Sequence, residues 1–226
     1  MKRLRLRTSI FSLISAIVVV GGIGLYFANQ SSAFDFKALV GGKEDVSQVL
    51  ESDIIYGNEK APVTIIEYAS LTCPHCANFH NKVFPELAST YVDTGKVRFI
   101  HRPFPLNEPA LKGAQLAACA GKDRYYTFIK VLFETQDRWA FDPNYTAALA
   151  QIAKVGGFSQ PEFDSCMANT ELEKNILIIR KEGTDQMGVN STPTFFINGK
   201  KLEGEQTMAA FSTAIEQLLG TSAAKP

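Results

Sequence analysis

Two thiols stand two residues apart at Cys73 and Cys76, with Pro74 and His75 between them. Such a pair can hold a metal, close a tight loop, or exchange electrons with other thiols. A structural zinc site takes about four ligands. Cys73, His75 and Cys76 would have to recruit Cys119, Cys166, His80 or His101, none of which forms a second close pair, so no metal is expected. A disulfide across one helical turn is an uncommon staple. Thiol exchange is the chemistry the spacing favours.

The compartment bears on that choice. The chain has 226 residues, 46% hydrophobic and 20% charged, with 23 basic and 23 acidic side chains and no net charge. These are the proportions of an ordinary globular protein, with no basic stripe and hence no nucleic-acid partner expected. The N-terminus differs. Lys2, Arg3, Arg5 and Arg7 precede an apolar run from Ile10 to Phe27, and no acid occurs before Asp35. A basic flank before a long uncharged run is an export signal. Ser31 to Ala33 suit a cleavage site, while the run approaches the ~20 residues that span a bilayer. Residues 1–33 therefore read as a signal peptide or an uncleaved inner-membrane anchor. Either one delivers the remainder to the oxidising side, a periplasmic location where cysteines serve thiol–disulfide chemistry more often than zinc.

The elements that must position the thiols follow from periodicity. Residues 34–60, with Gly41-Gly42, read as a tether and lead-in. "APVTIIEYAS" (61–70) is a buried strand. Pro74 suits the first turn of a helix, where its missing N–H costs nothing. That helix should bend at Pro85 and end at Gly95. "KVRFIHRPFP" (96–105) is a second strand. From Glu108 to Met187 the pattern is helical, with four or five helices broken at Gly121, Asp142-Pro143, Gly156-Gly157 and Pro161. "TPTFFINGKKLEG" (192–204) is a hairpin around Asn198-Gly199, and 207–220 a closing helix. The class is α/β. A right-handed crossover sets the first two strands parallel, and the thiols fall at the carboxyl edge of the sheet. A helix N-terminus offers unpaired N–H groups and partial positive charge. Cys73 is thus expected as the exposed, thiolate-forming nucleophile. Cys76, one turn on, should face inward and resolve mixed disulfides. His75 should favour the anion further.

"IIEYASLTCPHC" and "STPTFFING" together resemble the DsbA-type thiol–disulfide oxidoreductases, over roughly residues 53 to 220. The resemblance implies a thioredoxin-like fold made of 61–105 and 188–222, with 106–187 as an inserted helical domain. It implies a cis Pro193 beside the active site and a Thr192 backbone that pairs with substrate peptide. It implies no organic cofactor, exported protein substrates with free thiols, and a quinone-linked membrane reoxidase. Thr192 departs from the valine of the best-known strong oxidases, which leaves a reductase or isomerase open beside the oxidase. Residues 34–60 are too short for the dimerisation domain of such isomerases, so a monomer is expected. From another class, an anchored peptide-binding module is the alternative.

Glu67 lies in the otherwise apolar first strand. It is either an edge residue facing water or, by the resemblance, a buried carboxylate that carries protons to and from Cys76, with Arg98 as a partner. His80 is expected at the solvent face, His101 as a structural residue near a strand end, and Trp139 in a packed loop. Export and an even cysteine count favour a Cys119–Cys166 disulfide over two buried free thiols.

Overall fold

The computed structural model describes residues 48–223. The expected leader (1–33) and the Gly41-Gly42 stretch lie outside them. The described part holds a five-stranded sheet in the order β1-β3-β2-β4-β5. β2 (Val63–Ala69) and β3 (Val97–Pro103) are parallel, whereas β1 (Ile55–Gly57) is antiparallel to β3. β4 (Thr194–Ile197) runs antiparallel between β2 and β5 (Lys200–Glu203). β2 is central, and its Val-Ile-Ile run is buried on both faces as a parallel strand under helices requires. The Asn198-Gly199 turn has φ of 45° and 82° at its two residues, the positive pair that closes a two-residue hairpin.

The first helical run, α1, comprises Pro74–Asn78, Phe79–Val83, Phe84–Leu87 and Ala88–Val92. Its second and fourth stretches are π-wound. Pro85 has no N–H to bond back along the helix, and the widened turn before it, where Phe84 N–H reaches Phe79 O, absorbs the defect. The chain then turns at Gly95, at φ 75°.

Helices α2 (Glu108–Cys119), α3 (Tyr125–Glu134), α4 (Gln136–Trp139), α5 (Tyr145–Val155), α6 (Gln160–Met167) and α7 (Thr170–Met187) form the block between β3 and β4. α8 (Met208–Ala223) closes the described fold. Six helices replace the expected four or five because Thr135 and Asn169 also break the chain. The Asn169 side chain accepts from Leu172 N–H and caps α7. Pro161 is no break: it sits in the first turn of α6, behind a Ser159–Glu162 capping box.

One core joins this block to the active-site loop: Leu71, Cys76, Leu116, Phe128, Leu132 and Trp139 share a cluster. Trp139, expected in a packed loop, ends the short α4, wholly buried, and donates to Leu132 O at 2.9 Å. A second cluster packs α1 and α8 on the sheet through Phe79, Phe99, Phe195 and Phe211.

Residues 48–60 do more than lead in. They supply β1, and Asp53 grips the buried Arg102 guanidinium with both oxygens, at 2.9 and 2.7 Å. Arg102 also donates to Tyr68 Oη at 2.8 Å. A bidentate pair that satisfies both partners is the form in which a buried charge is tolerated.

Candidate active site

Cys73 is the N-cap of α1, with extended backbone at φ −85°, ψ 120°. Its carbonyl accepts the first helical bond, from Ala77 N–H at 3.1 Å, and Pro74 follows at the position that needs no donor. Cys73 is 6% exposed and Cys76 wholly buried. The order of exposure matches the helical phase, but Cys73 is less open than expected because the cis Thr192-Pro193 segment covers it. The Cys73 thiol donates to Thr192 O at 3.3 Å. Thr192 Oγ1 is buried without a partner of its own, so it is free to donate to the sulfur once that is ionised.

The two thiols, both free, are driven apart electrostatically. A hydrogen bond from the Cys76 thiol lowers the Cys73 pKa most. The Thr192 hydroxyl and the N–H groups of Cys76 and His75 add to it, and against the opposing cost of burial Cys73 falls to about 5. Burial pushes Cys76 well above the usual thiol range, and the nearby Cys73 and Glu67 push it further. One sulfur is made an anion near neutral pH and the other is held as a proton donor.

His75 projects into solvent from the first turn. Its Nδ1 lies 2.9 Å from Glu205 Oε2, and that contact, followed by the Cys73 charge, raises its pKa. Glu205 follows β5, far from the thiols in sequence. Gln136 of α4 is a second residue that the sequence did not reveal: its buried amide donates to Leu71 O at 2.8 Å and Cys73 O at 3.1 Å. The helical block thereby pins the loop that presents the thiol. A lone Gln in a helical stretch carries no signal of this.

Glu67 is wholly buried on the central strand, which rules out the water-facing edge position. Arg98 is not its partner. The parallel register sets Arg98 opposite Thr64 and Glu67 opposite His101. Arg98 instead donates to Thr64 Oγ1 at 2.8 Å and Glu59 O at 2.7 Å. The partner is His80, expected at the solvent face but buried, with Nε2 2.7 Å from Glu67 Oε2. The π-wound turn that begins at Phe79 rotates His80 inward, where its ring stacks on Phe133 at 4.2 Å. His101 is also buried, which lowers its pKa to about 3, and it meets Tyr125 Oη at 2.8 Å. Glu67, His80 and His101 each bring one ligand-type atom within 4.8 Å of the others.

Cys119 and Cys166 form the expected disulfide between α2 and α6, with Cα atoms 6.1 Å apart.

The family model described as Thioredoxin matches residues 50–217. A Rickettsia felis protein named for protein-disulfide oxidoreductase activity is 32% identical over 76% of this chain and 62% of its own length. The chain thus spans about three-fifths of that relative's length. "Disulfide bond formation protein D" of Bacillus subtilis is 26% identical, over 73% of this chain and 76% of that protein. The solved structure of Wolbachia pipientis alpha-DsbA1 superposes with a TM-score of 0.73 at 32% identity, over 77% of this chain and 94% of that one. With its paired thiols at a helix start, its facing cis proline and its inserted helical block, the chain belongs to the thioredoxin family, among the DsbA-type thiol–disulfide oxidoreductases.

Proposed function

We propose that this protein is an exported oxidase that donates the Cys73–Cys76 disulfide to thiols of newly exported proteins. A substrate thiolate attacks Cys73 Sγ, the Cys73–Cys76 bond breaks, and Cys76 leaves with the electron pair. Glu67, buried and near enough for its charge to reach Cys76, would relay the proton that Cys76 takes up. A second substrate thiolate then attacks the substrate sulfur of the mixed disulfide and releases Cys73 as a thiolate. Two electrons have moved from the substrate dithiol to the enzyme dithiol. A membrane reoxidase, quinone-linked in the family this chain resembles, would take them on. The N-terminal segment would deliver the protein to the periplasm, free or tethered. The Thr192 carbonyl, beside the attacked sulfur, is where substrate backbone would pair.

The oxidase reading is supported by the placement of Cys73 at the N-cap of α1, where the Cys76 thiol, the Thr192 hydroxyl and two helix N–H groups favour its thiolate and lower its pKa to about 5. A thiolate at equilibrium is a good leaving group and favours the reduced enzyme, which makes its disulfide oxidising. The test is the reduction potential of the pair, by equilibration with glutathione buffers. A value well above the about −270 mV of thioredoxin supports the oxidase. A value at or below it supports the reductase reading that Thr192 leaves open. If a chain lacking both active-site sulfurs still performs the cellular role, the protein is a peptide-binding module.

A further inference from the structure

Three elements aim a carboxylate and two imidazoles at one buried point: Glu67 from β2, His101 beside it on β3, and His80 from α1. Two of their polar atoms, Glu67 Oε1 and His101 Nε2, have no hydrogen-bond partner among the described residues. The remaining nitrogen of His101 is engaged. Tyr125 Oη lies 2.8 Å from Nδ1 and 3.4 Å from the His101 carbonyl, which accepts its proton. Nδ1–H then donates to the hydroxyl, and Nε2 keeps its lone pair. A histidine whose outer nitrogen donates to an oxygen while the inner one stays bare is the arrangement that surrounds metal-ligating imidazoles.

We propose that Glu67, His80 and His101 form a binding site for one divalent cation of the zinc class. One carboxylate and two imidazoles suit zinc, whereas calcium and magnesium require oxygen ligands. Zinc holds such atoms at about 2.0–2.2 Å, hence roughly 3.4 Å from one another. Ligand atoms that already lie within 4.8 Å reach this by small side-chain rotations, with the cation replacing the Glu67–His80 hydrogen bond. The cation would offset the Glu67 charge among the rings of Phe133, Phe84 and Phe99 around His80, and the proton relay from Glu67 to Cys76 would then belong to the cation-free chain. His80 also lines a surface cleft, shared with Asn81, Asp93 and the ion-paired Lys130 and Glu134, so one of the three ligands borders a path from solvent. No spacing in the sequence announces the site, because each ligand comes from a different element.

The experiment must exclude zinc captured by the reactive thiols. Zn²⁺ is therefore titrated into the full chain carrying Cys73→Ser and Cys76→Ser, without reductant, so that the Cys119–Cys166 bridge persists. One Zn²⁺ per chain is expected, with a rise in Tm that a chelator reverses. Co²⁺ in its place should give a nitrogen- and oxygen-ligated spectrum with no sulfur charge-transfer band. His80→Gln and His101→Gln, each verified as folded by circular dichroism, should each weaken binding by more than the about 10- to 100-fold that loss of an outer partner costs. Tyr125→Phe leaves all three ligands in place and should weaken it about 10- to 100-fold. Absence of binding in the serine-substituted chain, or binding that none of the three variants alters, overturns the proposal. Because no thiol exchange is measured, failure here is separate from failure of the oxidase reading.

Discussion

The chain holds two cysteine pairs made of the same atoms, and their surroundings send them in opposite directions. Cys119 and Cys166 sit on α2 and α6, 47 residues apart. Closing so long a loop removes much freedom from the unfolded chain, about 4 kcal/mol on the chain-entropy model. Cys73 and Cys76 close a ring of one helical turn, for which the same model allows only about 2 kcal/mol. Against that small gain stands the stabilised Cys73 thiolate, which only the reduced form possesses. Loop length and helix position, not the sulfur chemistry, separate a bond that holds from a bond that is handed on.

The contrast breaks most visibly at Cys73. Cys73→Ser and Cys76→Ser should each abolish disulfide transfer to a reduced peptide, because neither can form the donated bond. Only Cys76→Ser, offered a disulfide-bonded peptide, should attack it through Cys73 and accumulate a mixed disulfide, seen by mass spectrometry under non-reducing conditions. Accumulation of the mixed disulfide on Cys76 of the Cys73→Ser chain instead would contradict the division of roles.

Removing the other pair should do the reverse. Cys119→Ala with Cys166→Ala should lower stability by about 4 kcal/mol, a fall in Tm of roughly 8–16 °C at this size. Transfer rate per folded molecule should stay unchanged. A large loss of rate with little loss of stability would mean that the buried pair takes part in exchange.

The Cys73 thiolate also ties the stability of the reduced protein to pH. The folded pKa of Cys73 is lowered from a usual 9.0 to about 5. Its contribution to the reduced fold is therefore complete above about 9 and lost as pH falls through about 5. At pH 7 it amounts to about 3 kcal/mol before solvent screening and to roughly 1–2 kcal/mol after it, close to the ring-closure gain of the oxidised form. The reduced protein should thus gain on the oxidised one steadily from pH 5 to pH 9, overtaking it on the alkaline side. Paired denaturant titrations, with Cys119–Cys166 intact, read this directly; an advantage of the reduced form that shrinks with rising pH would refute the thiolate assignment.

The smallest effect sharpens the picture at the rim. Glu205→Gln removes the main cause of the raised His75 pKa. The His75 titration by NMR should move down, while Cys73 reactivity changes less than about twofold, because this contact is solvent-exposed and screened. A large change at Cys73 would show that Glu205 reaches the sulfur through His75.

Much of this was legible in residue order. Pro74 marks the helix start that makes Cys73 a cap. Asn198-Gly199 marks the hairpin, and the β-branched run around Ile65 marks the central strand. These signals are local: each depends on backbone preferences or periodicity within a few residues. Thr192-Pro193 was legible only through the resemblance, since a proline at a strand head says nothing by itself of its isomer.

What the tertiary structure alone decided are the pairings across elements. The register of β2 on β3 took Arg98 away from Glu67 and put His101 beside it. A π-wound turn ahead of Pro85 swung His80 from the expected solvent face to the Glu67 carboxylate. Gln136 and Glu205 reached the active-site loop from distant elements. The sequence by itself determined which residues carry the thiol chemistry, because helix caps, turns and strands are written in short-range preferences. Which buried polar groups meet depends on strand register and helix phase summed over the whole core, and no short segment contains that sum.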